Sequence, residues 1–451
     1  MLGYGGAFTD SATRLISGLP DKVRERALND YFGERGLDYN MARLPIAGTD
    51  MSTRPYSYDD LPIGHQDFEL KHFRLQPEDF EHKIPTIKRA NEIRRERHLE
   101  PLKIMAASWS APAWMKSNQH LVQGRLIGNS SGAYYQAYAR YLIKFMHEYK
   151  QYNISMWALT PQNEPHTPKR VGPMKINFNS VNFEPEEMAD FLANNLVPSL
   201  MDANLTPDKL KLFIWDDTLD GLLKYQQAAL GAKNVRDYTL GLALHWYSQG
   251  LREISYKHLY EARRRLPARY SMISTEASFI GRPKPGNWER GQRYARDLIE
   301  NLRAGSVGWI DWNLALDMEG GPTWSRNFLD AAMLVDLERQ VYYKNPMFYA
   351  LGHVSRFIKP GSHVLPTELR PFRPELAPTK YPSDELVAVA AELEEPAWLD
   401  GVLRRRMALV ALNRSNSSRR LEVKVRGCLA KKQPLRLEMS AKSVTSLAFL
   451  C

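Results

Sequence analysis

At 451 residues, 43% hydrophobic and 11% aromatic, the chain is long enough to bury one large core and a smaller one, and its composition excludes disordered and collagen-like classes. Cys428 and Cys451 are its only cysteines, which excludes a disulfide framework and a cysteine metal site. No run of about 18 apolar residues offers a membrane helix, and the net charge of +10 is carried by the last tenth of the chain.

The N-terminal stretch MLGYGGAFTDSA has no leader pattern of basic and apolar regions. It contains the first of eight short apolar runs: Leu2–Gly6, Tyr39–Leu44, Lys103–Ala107, Met156–Thr160, Lys211–Trp215, Leu240–His245, Tyr270–Ser274 and Val307–Trp312. Helical patterns lie between them. In Tyr134–Glu148, the residues Tyr138, Tyr141, Leu142 and Phe145 recur at i, i+3, i+4 and i+7 and mark one apolar face. A further helix is predicted over Pro185–Leu200, with its proline at a tolerated first-turn position. Eight strands alternating with helices predict an α/β fold, a (β/α)8 TIM barrel, whose last helix is expected within Met347–Ser362.

A proline-rich linker, Leu365–Pro382, then leads to the period-2 segments LVAVAAEL, MALVALNRS, LEVKVRG, LRLEMSA and SVTSLAFL. They predict a small all-β, sandwich-like domain whose first strand has no clear signature. The expected division is residues 1–362 for the barrel and 363–451 for the strand domain. Of 61 Lys and Arg, twelve lie in residues 401–451, against two of 51 Asp and Glu, so the rest of the chain is balanced. This basic segment reads as a solvated face or as a contact for anionic lipid or an acidic partner. It lacks the interleaved aromatics of a nucleic-acid surface. Five N-x-[ST] acceptors, at Asn129, Asn153, Asn204, Asn413 and Asn416, point weakly to secretion.

The interior of such a barrel is packed, so chemistry belongs to the C-terminal strand ends. Polar and aromatic residues collect there. Arg43 and Asp50 follow strand two, Trp109 strand three, and Asn163 and Glu164 strand four. Asp216 and Asp217 end strand five, His245, Trp246 and Tyr247 strand six; Glu276 follows strand seven, and Trp312 and Asn313 end strand eight. Strands four and seven end across the barrel mouth, so Glu164 and Glu276 can form the carboxyl pair of glycoside cleavage. A separation of about 5–5.5 Å would mean retention of configuration and about 6.5–9.5 Å inversion. Glu164 is expected as the acid, its carboxyl raised by Glu276, and Asn163 as a donor to the sugar 2-hydroxyl. Pro165 stops the strand and fixes the turn. As a group, Trp109, Trp246 and Trp312 suit sugar faces. His245 alone fits a core histidine equally well, while Asp216 and Asp217 fit loop-orienting roles and Asp10 a structural one. No second histidine stands at ligand spacing, which disfavours a metal hydrolase.

The segments GYGGAFTDSA, WSAPAWMK, ALTPQNEP, LHWY, STEAS and WNLALDMEGGPTW, in that order, resemble glycoside hydrolase family 30, and within it the animal acid β-glucosidases, the glucosylceramidases. The resemblance implies a retaining β-glucosidase that acts on glucosylceramide without cofactor or metal. It implies Glu164 as acid/base and Glu276 as nucleophile. Asn163, Asp50, Trp109, Trp312 and Asn327 are implied as sugar-subsite residues, Tyr247 as a hydrogen-bond partner of the nucleophile, and His245 as support behind the pair. It further implies lysosomal residence, an anionic membrane surface and a lipid-presenting activator protein. Members of that family carry strands ahead of the first barrel strand, so the strand domain here is expected to lack N-terminal partners and the chain to be a truncated form.

Overall fold

The computed structural model describes residues 1–166, 177–219, 221–247, 256–370, 385–399, 402–426 and 435–451. Eight parallel strands close into a barrel in sequence order: β1 (Gly3–Ala7), β2 (Met41–Ile46), β3 (Lys103–Ser108), β4 (Met156–Thr160), β5 (Lys211–Asp217), β6 (Thr239–His245), β7 (Ser271–Glu276) and β8 (Ser306–Asn313). Each of the eight apolar runs falls on one of them. The barrel is a packed solid at one level. Met41, Met105, Ala158, Phe213, Ala243, Ile273 and Ile310 form a buried cluster with one residue from each of β2 to β8. In β1 the interior is too tight for a side chain, since a Cβ on Gly5 would meet the Met41 carbonyl oxygen at 2.2 Å.

Residues alternate faces along a strand, so two positions further on the chain again points inward. There the sequence changes character, giving Arg43, Ala107, Thr160, His245, Thr275 and Trp312. β5 breaks the count. Its pairing with β6 shifts register between Trp215 and Asp217, and both Trp215 (φ 82) and Asp216 (φ 57) adopt left-handed backbone. This bulge delivers Asp216 three residues after Phe213. Bulges of this kind re-aim side chains at functional rims.

The amphipathic segment around Tyr138 is a helix over Ala133–Gln151 with Tyr138, Tyr141, Leu142 and Phe145 all buried. The segment from Pro185 is helical over Pro185–Phe191 and Val197–Asp202, joined by a π-turn at Leu192–Leu196. The last predicted barrel helix is found at Pro346–Ser355.

The C-terminal strands form a four-stranded antiparallel sheet, in the order His363–Leu365, Leu386–Glu392, Arg406–Asn413 and Ser443–Leu450, and separate hairpins. The three-residue strand His363–Leu365 is the one that lacked a signature. Most of the proline-rich stretch, 371–382, lies outside the described residues. One face of the sheet, through Val387, Val389, Val410 and Leu412, joins the main core and packs on helix Trp288–Arg303. The other, through Ala388, Leu409 and Ala411, closes on Met439 and Leu437 of the hairpin Arg419–Val423/Leu435–Met439. Among the described residues no helix is long and apolar enough to cross a membrane.

Two leucines on neighbouring strands of this sheet make a testable contrast. Leu412→Ala, which empties a fully buried site, should cost about 2–5 kcal/mol in denaturant unfolding. Leu447→Ala, at a half-exposed position of the neighbouring strand, should cost about 1 kcal/mol.

Candidate active site

The functional side chains gather where the polar layer meets the strand ends. The β4 loop is fixed by backbone bonds to both neighbours: the N–H of Asn163 donates to Ser108 O (2.7 Å) and that of Glu164 to Asp216 O (2.9 Å). The Gln162 amide donates to Trp109 O (2.8 Å) and accepts from the Tyr138 hydroxyl (3.0 Å). Held this way, Glu164 sits in left-handed backbone (φ 45), a conformation that costs about 1–3 kcal/mol and persists only where its surroundings over-determine it.

Arg43, fully buried, is the hub. Its guanidinium donates to Glu276 Oε2, to Asp216 Oδ2 (2.7 Å) and to Asn163 Oδ1 (2.7 Å). It stacks 4.7 Å from the Trp109 ring and 5.4 Å from Trp312. These two indoles are parallel, 5.0 Å apart and 16° inclined. Both are buried, so they wall the site and hold Arg43 rather than stand open as platforms. Trp246 turns away, packing edge-on against Phe279 and Tyr294 with its N–H on Ser278 O (2.9 Å).

His245 bridges the carboxylates. Its Nε2 lies 3.1 Å from Asp216 Oδ1 and its Nδ1 3.2 Å from Glu164 Oε1 and 3.9 Å from Glu276 Oε1. Burial would drag the imidazole down, but Glu276, Asp216 and Glu164 together hold it up at about 10. It is therefore an imidazolium that donates to its neighbours. Asp216 is buried, which pushes its carboxyl up. Arg43, His245 and the Thr160 hydroxyl (2.7 Å) more than offset that and hold it well below the usual carboxylate range, and the Thr275 hydroxyl adds a further bond at 2.7 Å. Glu276 is raised, first by burial and then by Glu164, against the pull of His245 and Arg43. Glu276 is the deeper of the two glutamates.

Glu164, His245 and Glu276 each offer an atom within 4.8 Å of the others. Asp50 stands beside them: burial, then the charge of Glu276, lifts its carboxyl to about 7, and Asn327 Nδ2 donates to its Oδ2 (2.9 Å). Tyr247 stands edge-on to the His245 ring, 6.1 Å between centroids. Arg43 donates to Glu276. Apart from Trp246, the strand-end residues named above meet here, and the organising roles of Arg43, Thr160 and Thr275 have no local signature in the sequence. A cavity of about 850 Å³ elsewhere, lined by Leu223, Lys224, Arg236, Arg265, Arg269 and Tyr270 among others, has no carboxylate among its lining residues, so acid–base chemistry on a carboxyl pair stays with the glutamates.

The chain matches known proteins over most of its length. The family pattern of the glycosyl hydrolase family 30 TIM-barrel domain matches residues 1–358. The chain is 39% identical over 371 residues to a Caenorhabditis elegans protein provisionally named glucosylceramidase 3, covering 80% of this chain and 67% of that one. It is 36% identical over 367 residues to the lysosomal acid glucosylceramidase of Mus musculus, covering 80% and 68%. Among solved structures, SrfJ from Salmonella typhimurium superposes with a TM-score of 0.82 at 26% identity, covering 100% of this chain and 89% of that one.

The His245 environment has a signed consequence. Its folded pKa is raised above the ordinary 6.5 to about 10, so its stabilisation is complete below 6.5 and is lost as pH rises towards 10. The Tm difference between wild type and His245→Gln should be largest below pH 6.5 and shrink steadily to pH 10. A difference that is flat across that range would contradict the charged assignment.

Proposed function

We propose, from the premise that this chain belongs to glycosyl hydrolase family 30 and is a glycosidase, that it hydrolyses the β-glucosidic bond of glucosylceramide with retention of configuration. The observation that carries the reading is the pairing of Glu164 and Glu276 with carboxylate oxygens within 4.8 Å. So close an approach belongs with the shorter of the two carboxyl separations and favours direct attack by one carboxylate.

In the first step Glu276 attacks the anomeric carbon while Glu164 protonates the departing glycosidic oxygen. The glucosyl group becomes an ester of Glu276, and ceramide leaves as the alcohol. In the second step Glu164, now a carboxylate, takes a proton from water as that water attacks the same carbon, releasing glucose and restoring both side chains. Charge balance supports this division of labour. Arg43 and His245 bring two positive charges against three carboxyls, Asp216, Glu276 and Glu164. The buried cluster is neutral when one carboxyl holds a proton. The first step needs that proton on Glu164 and the anion on Glu276, and the guanidinium hydrogen bond to Glu276 favours this arrangement. Asn163, held by Arg43, would present its amide to the sugar 2-hydroxyl. Asp50 with Asn327 would accept hydroxyls on the other side of the ring, against the wall of Trp109 and Trp312.

The aglycone and the setting rest on the relatives. The mouse relative is named a lysosomal acid glucosylceramidase, and the same lipid substrate and compartment are proposed here. Cys451 is held in a disulfide, which suits an oxidising route of synthesis. Arg406, Arg420, Lys424, Arg426, Arg436 and Lys442 are exposed on the C-terminal strands and turns, a surface suited to anionic lipid and to an acidic, lipid-presenting activator.

Three measurements test the proposal. Glu276→Gln should lower turnover of an aryl β-glucoside by about a thousandfold or more, with little change in Tm because an amide can still accept from Arg43; near-normal turnover would remove Glu276 from the mechanism. NMR of the first-formed sugar should show the β-anomer, whereas α-glucose appearing first would mean inversion. If the protein passes through the secretory route, glycopeptide mapping should find sugar on the exposed Asn129, Asn153 or Asn204. It should find none on Asn413, which is sealed at 0% exposure with its amide on Ser417 O (2.9 Å) and Ser440 O (2.8 Å).

A further inference from the structure

Behind Asp50 lies a second charged cluster, closed to water and built from residues that do not touch the glutamate pair. Lys83, with no exposed surface, places its Nζ 3.0 Å from Asp10 Oδ1 and 3.0 Å from Asp79 Oδ1. The cluster is fully supplied with hydrogen bonds. Asp79 accepts from Tyr58 (2.8 Å), from Tyr149 and from the N–H of Gln76 (2.9 Å). Asp10 accepts from Tyr56 (3.0 Å) and from Ser52. Burial alone would lower the lysine, yet Asp10 and Asp79 raise it above its ordinary range, so it is an ammonium. Burying such a group costs several kcal/mol per ion unless partners repay it.

The cluster is joined to the sugar side of the active site by one short turn. Ser52 Oγ donates to Asp10 and accepts the N–H of Thr49 (2.9 Å). Thr49 Oγ1 in turn accepts the N–H of Met51 (2.9 Å), and Met51 O accepts the N–H of Ser11 beside Asp10 (3.0 Å). Asp50 sits inside this turn. From the opposite side Trp324 donates its indole N–H to Thr49 O (2.7 Å) and its backbone N–H to Ser52 O (2.9 Å), while the Thr323 hydroxyl donates to Asp50 O (2.7 Å). A hydroxyl whose proton is committed to a carboxylate must turn its lone pairs elsewhere. The charge on Asp10 therefore sets the direction of Ser52, and with it the capping of the turn that carries Asp50.

We propose that the Asp10–Lys83–Asp79 cluster positions Asp50, acting through the Ser52 hydroxyl, and so governs how tightly the site holds a glucose ring. The inference rests on the glucosidase reading, in which Asp50 is a sugar contact. Asp50 binds; Ser52, Asp10 and Lys83 are positioning residues.

The test is a double-mutant cycle on the purified full chain, with kcat and KM for an aryl β-glucoside and calorimetric affinity for a gluco-configured iminosugar as readouts. Ser52→Ala should lower kcat/KM and iminosugar affinity about tenfold, mostly through KM, and Ser52→Thr, which keeps the hydroxyl, should restore most of both. In an Asp50→Ala background the same Ser52→Ala change should have less than about a twofold effect, because the group it positions is gone. The Tm cost of Ser52→Ala should be alike in both backgrounds. Equal, additive losses of activity in the two backgrounds would overturn the inference and leave Ser52 a structural residue. A wild-type chain that neither hydrolyses the glucoside nor binds the iminosugar would instead overturn the glucosidase reading on which it stands.

Discussion

A guanidinium with no access to water, at the mouth of a barrel, is the constraint from which this site is built. Arg43 cannot lose its charge, so its surroundings must answer it. Asp216 is held ionised against it, Glu276 takes its second arm, Asn163 its third contact, and two indoles stacked on each other lie against it. Each answer then places something useful. Asp216 holds His245 upright, and His245 reaches the two glutamates. An isolated buried ion pair is weak evidence of stability. A closed network of five ionisable groups whose geometry is mutually enforced is better understood as a device for fixing positions.

Much of this was legible in the chain, and the reasons are physical. The eight strands declared themselves because a barrel wall is buried on both sides and must be apolar over five to eight residues. The two glutamates could be paired because polar residues end those runs at opposite sides of one ring. What could not be read was inward direction. "MARLPI" looks like an apolar run with one misplaced cation, and nothing local says that Arg43 points into the barrel rather than out. "IWDD" offers two aspartates, and only the bulge at Trp215 and Asp216 selects the one that joins the layer. Likewise Thr160 and Thr275 read as ordinary strand residues until Asp216 is seen to need donors. The three-residue strand His363–Leu365 and the two-residue strand Leu316–Asp317 carry too little periodicity to be seen without their partners.

Backbone strain also reaches the place where chemistry is proposed. Glu164, Trp215 and Asp216 all have positive φ, none is glycine, and Asp216 O accepts the N–H of Glu164. Two costly backbone conformations are thus tied to each other. Such arrangements persist only if the surrounding fold supplies more than they cost. Here the rigid strands on either side do so, which lets a loop residue be held as firmly as one within a strand.

The helix Trp288–Arg303 serves two masters. It covers the barrel wall at β8 and also receives the C-terminal sheet through Val387, Val389, Val410 and Leu412. Its indole at Trp288 is further tied to the carbonyl of Lys442. Removing the strand-rich segment would therefore wet an oily stripe on the same rod that braces the wall beside the nucleophile strand. The last ninety or so residues act less as an appendage than as the missing outer skin of the catalytic half, and an isolated barrel would be a sticky, short-lived species.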